Sequence, residues 1–115
     1  MAGFRINRVS EDIRREIISV IRDLKDPRVM GKMLTVVRVE VSSDASYAKV
    51  YVSDFKGVES AREAVKGLTA ATGYIRREVG SNLHLRKTPE LKFVADDSIE
   101  QGFSMFKKLE ENRGE

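Results

Sequence analysis

Between Ile6 and Ser53 the apolar residues change their spacing, from steps of three and four to steps of two. Ile6, Val9, Ile13, Ile17, Val20, Ile21 and Leu24 fall on one face of a helix, with charged residues filling the gaps. Pro27 disfavours helical geometry in the residue before it, so the helix is expected to end there. Downstream, Leu34 to Ser42 is a β-branched run that ends in alternation. Tyr47 to Ser53 alternates throughout, with Ala48, Val50 and Val52 on one face and Tyr47, Lys49 and Tyr51 on the other. Turn residues from Ser42 to Ser46 join the two runs, which predicts an antiparallel hairpin.

The rest of the chain repeats this alternation of periods. Ser60-Ala61-Arg62-Glu63 has the spacing of a capping box and is expected to start a helix carrying Ala61, Ala64, Val65, Leu68 and Ala71 on its apolar stripe. Gly73 interrupts the pattern, and Ile75, Val79 and Leu83 resume it, so two helices should abut at a bend where the second restarts. Pro89 breaks the chain, and Leu91, Phe93 and Ala95 read as a third strand. Ile99, Phe103, Phe106 and Leu109 suit a short terminal helix, after which the chain should fray. The predicted order is α-β-β-α-α-β with an added helix: a two-layer α+β domain with helices on one face of the sheet. With 115 residues and 41% hydrophobic content, one domain spans 1–115, with an ordered core at about 5–108.

Few classes of chemistry survive inspection. The lack of cysteine excludes disulfides and thiolate metal sites. No stretch approaches the ~18 apolar residues of a membrane span, and the N-terminus lacks the apolar core of a secretory signal. A cytoplasmic protein is expected. The single histidine, His84, has no nucleophile beside it, and no phosphate-loop signature occurs. Glu11-Asp12 and Asp96-Asp97 are placed at helix N-termini, where negative charge is favoured. No catalytic residue, metal site or cofactor is expected, and nothing demands more than a monomer.

Basic residues are the better lead, although a net charge of +3 is small. Arg76 and Arg77 follow Gly73, Arg86 and Lys87 follow the same helix, and Arg5 and Arg8 open the first one. Arginine pairs bidentately with phosphate. A helix restarting at Ala71-Thr72-Gly73 would point backbone N–H groups at a phosphate, with small residues allowing close approach. The candidate RNA-binding residues are therefore Arg5, Arg8, Ala71, Thr72, Gly73, Arg76, Arg77, Arg86 and Lys87. A rival surface is the open sheet face, where Tyr47 and Tyr51 flank Lys49 and could stack bases or dock a protein.

With those residues in view, the sequence resembles the ribosome-binding factor A family. The likeness rests on Lys25-Asp26-Pro27-Arg28, on Val41-Ser42-Ser43-Asp44 with Tyr47 to Val52, and on Ala71-Thr72-Gly73-Tyr74-Ile75-Arg76. It continues through Leu83, Leu85-Arg86, Pro89-Glu90-Leu91 and Phe93 to Asp97-Ser98, Glu100 and Gly102. The resemblance implies a type-II KH-like fold in which an Ala-x-Gly interhelical kink, here Ala71-Thr72-Gly73, replaces the GxxG loop. It implies a non-enzymatic assembly factor that needs no cofactor. Such a factor binds the free 30S subunit and its 16S rRNA or precursor, assists late maturation and 5′-end processing, and supports growth in the cold. The alternative is a protein-interaction module docking on another assembly factor.

Overall fold

The computed structural model describes the backbone of residues 2–98 and the side chains of residues 8–98. The first helix, α1 (Ala2–Arg22), begins four residues earlier than the apolar spacing predicts. Glu11 and Asp12 therefore lie well inside it, and Glu11 pairs with Arg14 at 3.1 Å instead of facing a helix N-terminus. Ile13, Ile17 and Val20 are buried along one face. The helix closes with three-residue bonds, Asp23 N–H to the Val20 carbonyl and Leu24 N–H to that of Ile21. Leu24 thus lies just past its end.

Three strands follow in the sheet order β1 (Leu34–Val41), β2 (Tyr47–Asp54), β3 (Glu90–Ala95). The first two are antiparallel and the third runs parallel to the second. A parallel pair needs a long crossover, and the two later helices supply it. The pairing of β1 shifts register between Val36 and Arg38. That bulge places one extra residue, Val37, against the partner strand and lets Val36 and Val39 both face the core despite their odd spacing. In the hairpin turn Asp44 accepts from the Ser46 and Ser42 hydroxyls and from the Ser46 amide. Those bonds hold its carboxyl at about 2.

Helix α2 (Val58–Ala70) starts two residues before the expected Ser60, with Gly57 as its cap and no capping side chain. Gly57 has φ 115° and ψ −177°, a conformation that residues with a Cβ avoid. The chain can therefore turn into the helix directly from the strand, and no capping box forms. Ser60 instead accepts from Lys32 Nζ at 2.8 Å. Helix α3 (Thr72–Leu83) then leads through His84, in the left-handed region, to a loop before β3. Val50, Val52, Leu68, Ile75, Val79, Leu91 and Phe93 join the α1 residues in one core between the sheet and the helices. The predicted terminal helix lies outside the described residues, apart from a first helical residue at Ser98. Asp96 accepts from the Ser98 amide and hydroxyl there.

The connector 23–33 is fastened by Asp26, which accepts from the Arg28 amide at 2.8 Å and from its guanidinium at 3.0 and 2.8 Å. The Arg28 side-chain bonds, then its amide, hold the Asp26 carboxyl at about 2 against an ordinary value of 3.8. This turn packs onto α2 at Gly67, where a Cβ would lie 2.8 Å from Val29 Cγ2, 3.1 Å from Asp26 Oδ1 and 3.2 Å from Arg28 Cβ. The sequence Asp26-Pro27-Arg28 and the distant Gly67 are therefore one packing unit.

Candidate nucleic-acid interface

The bend between α2 and α3 falls at Ala71, with φ −96° and ψ 10°, and α3 restarts at Thr72 instead of Gly73. A side chain bonds across it. Thr72 Oγ1 donates to the Thr69 carbonyl at 2.7 Å and approaches that of Leu68 at 3.3 Å. Such back-bonding bends helices because it competes for the carbonyls that would continue the ladder. Gly73 itself has no positive φ, and a Cβ built on it meets nothing within 4 Å. Its lack of a side chain therefore leaves open space at the surface rather than relieving strain.

Backbone N–H groups at this junction reach back to the carbonyls of Gly67, Leu68 and Thr69. Part of the donor set expected to face a phosphate is therefore already satisfied within the helix pair. No side chain caps the start of α3. Gly73 and Tyr74 are exposed there, Tyr74 at 41%. Tyr74 was missing from the candidate residues. Its place one position before the inward-facing Ile75 is the signal that turns it outward.

The basic residues separate by role. Arg76 is half-buried and donates from Nε to the Pro89 carbonyl at 3.1 Å and from Nη2 to that of Thr88 at 3.0 Å. It ties α3 to loop 84–89, which folds back along the helix so tightly that a Cβ on Gly80 would overlap Thr88 Oγ1 at 2.2 Å. The loop carries Arg86 and Lys87, both exposed, and Arg77 is exposed beside Arg76. Arg76, Arg77, Arg86 and Lys87 therefore belong to one helix–loop unit. Arg8 is exposed on α1. Helix α1 is bonded to α3 through Glu16 and Asn82, and no described hydrogen bond or ion pair links Arg8 to the helix–loop unit. The Arg5 side chain lies outside the described residues.

The rival sheet face is occupied by its own contacts. The Arg38 guanidinium carbon lies 4.0 Å from the Tyr51 ring centroid and Lys49 Nζ lies 5.4 Å from it. Tyr51 donates to Glu40 at 3.2 Å, and Glu40 also pairs with Arg38 at 3.0 Å. Cations over an aromatic face compete directly with a stacking base. Tyr47 remains exposed at the edge of this cluster. Among the described residues, no group of three or more His, Cys, Asp or Glu is arranged to hold a metal ion, and no helix is long and apolar enough to cross a membrane.

An open, bent helix pair with a basic loop tied against it, on a one-sided three-stranded sheet, defines a small α+β surface-binding domain. Comparison with known proteins narrows this class. The family model for ribosome-binding factor A matches residues 5–109. Ribosome-binding factor A of Clostridium tetani is 47% identical over 97% of this chain and 95% of its own. The crystal structure of the Thermus thermophilus factor superposes with a TM-score of 0.68 at 28% identity, covering 78% of this chain and 93% of that one. A homology model of the Thermus factor, fitted into a cryo-EM map of its complex with 30S, gives a TM-score of 0.64 at 28% identity, covering 77% and 92%. The chain belongs to the ribosome-binding factor A family.

Proposed function

We propose that this chain is a ribosome-binding assembly factor that holds the small ribosomal subunit and its 16S rRNA, or the precursor, without catalysing a reaction. In this reading it works in the cytoplasm, late in maturation and in support of 5′-end processing. One observation carries the choice of surface: Arg77, Arg86 and Lys87 are exposed on the single unit formed by α3 and loop 84–89, and Gly73 lies open in the first turn of that same helix. Arg76 fixes the loop, the three free cations meet rRNA phosphates, and the exposed Tyr74 offers a ring for an unpaired base. The bend supplies close approach through its small residues more than through free N–H groups. The KH-like description belongs to the same reading, with the Thr72-bonded bend where a GxxG loop would lie. A factor of this kind favours a mature-like local conformation by binding it more tightly than the alternatives.

The test is co-sedimentation with purified small subunits across a salt series, comparing the native chain with an Arg77→Ala/Arg86→Ala/Lys87→Ala variant. Each phosphate contact contributes about 0.7 to 0.9 to the slope of log affinity against log salt. The variant should therefore bind more weakly, with a slope shallower by about 2 to 3. Unchanged affinity and slope in a folded variant would refute this surface. Docking on a protein through the sheet face is less favoured, because Tyr51 is already covered by Arg38.

A further inference from the structure

The open face of the sheet, away from the helices, divides into two halves. On the β1 side the charges are matched: Arg38 pairs with Glu40 at 3.0 Å, and Tyr51 donates to the same carboxylate. On the β3 side they are not. Lys49 of β2 stands in register with Lys92 of β3. Lys49 alternates with the buried Ala48 and Val50, and Lys92 with the buried Leu91 and Phe93, so both side chains leave the same outer face. Adjacent strands lie about 4.8 Å apart, and like charges side by side at that spacing repel and weaken a sheet. Glu40, the register partner of Lys49 on β1, is already held by Arg38 and Tyr51. Glu90, two positions before Lys92, forms no ion pair among the described residues, and neither does either lysine. Tyr47, two positions before Lys49 on the same face, is 37% exposed.

We propose that Lys49 and Lys92, with Tyr47 beside them, hold an rRNA phosphate on the open sheet face, so that the domain contacts RNA from both of its layers. The identity of the partner rests on the ribosomal reading above. A phosphodiester between the two ammonium groups gives each of its free oxygens a charge-assisted donor. It also turns a repulsive pair of charges into an attractive group of three. No stacked base is needed, so the cover of Arg38 and Lys49 over the Tyr51 ring is no obstacle. A protein partner fits this half of the face less well, because protein interfaces depend on buried aromatic and apolar anchors. The most exposed apolar side chains, Met30, Met33 and Phe55, lie in connector 23–33 and just past the end of β2. Here only Tyr47 and the half-buried Val94 are offered. Arg77, on α3, belongs to the helical layer on the other side of the sheet. Once one layer is bound, the other meets its RNA at a high effective concentration.

The experiment compares the native chain with Lys49→Gln/Lys92→Gln and Lys49→Arg/Lys92→Arg variants. Urea melts are combined with binding across a salt series, to purified small subunits and to protein-free 16S rRNA. The glutamine variant should melt at a urea concentration at least as high as the native chain, because the repulsion is gone. It should nevertheless bind both partners several-fold more weakly, with a salt slope shallower by about 0.7 to 0.9 for the one phosphate lost. The arginine variant should bind as the native chain does. A lower urea midpoint in the glutamine variant would make the lysines supports of the sheet and overturn the proposal. Weaker binding to subunits alone, with rRNA binding unchanged, would assign the anion to a protein carboxylate and overturn it as well. Salt-dependent native binding that the glutamine variant matches in affinity and slope sinks only the sheet-face contact. Native binding without salt dependence would bring down the ribosomal reading together with it.

Discussion

Two glycines in the helical pair should respond to alanine in opposite directions. At Gly67 a new methyl would lie 2.8 Å from Val29 Cγ2, and none of its neighbours can move away freely. Val29 is 4% exposed in the core, and Asp26 is held by three bonds from Arg28. Forcing a methylene into a packed site costs about 1–3 kcal/mol, while alanine in place of glycine inside a helix returns about 1 kcal/mol. Gly67→Ala should therefore lower stability by up to about 2 kcal/mol, which for a domain near this size is roughly 8 to 16 °C in Tm. At Gly73 a Cβ meets nothing within 4 Å and φ is not positive. Gly73→Ala should therefore keep the helical gain of up to about 1 kcal/mol. Paired urea melts of both variants measure the difference. If Gly67→Ala is as stable as Gly73→Ala, the close packing of the connector on α2 is wrong.

Two further outcomes follow from named contacts. Arg76→Ala should destabilise by about 1–3 kcal/mol, because the partly buried Thr88 and Pro89 carbonyls lose their donors. Arg77→Ala, exposed and without such bonds, should leave the same urea midpoint nearly unmoved. The depressed Asp26 carboxyl binds a proton less readily in the folded chain than in the unfolded one. Its contribution should therefore be complete above about pH 4 and lost as the pH falls towards 2. Acid titrations of stability should show a shallower loss over that window in Asp26→Asn than in the native chain.

Sequence periodicity identified every described element because the helical and strand repeats are local properties of the chain. Ile13, Ile17 and Val20 fell at helical spacing, Ala48, Val50 and Val52 at strand spacing, and all are buried as that spacing requires. Of the candidate basic residues, spacing correctly turned Arg77 outward, and Arg86 and Lys87 are exposed on loop 84–89. The element starts were less legible. Ser60 matched a capping box, yet Gly57 begins α2, because a glycine at positive φ turns the chain into the helix without help from a side chain.

Pattern alone therefore determined the order of helices and strands, the apolar face of each and the two-layer α+β class. The tertiary structure decided the rest. It set Arg76 on the Thr88 and Pro89 carbonyls as the clasp of loop 84–89, put the bend at Ala71, beside the Thr72 hydroxyl's bond to the Thr69 carbonyl, and joined Gly67 to Asp26 across some forty positions. It also placed the bulge at Val37 and ran β3 parallel to β2. Each of these depends on which distant groups meet once the core closes. Spacing along a chain records the direction a residue faces, and only the packed fold determines what it faces.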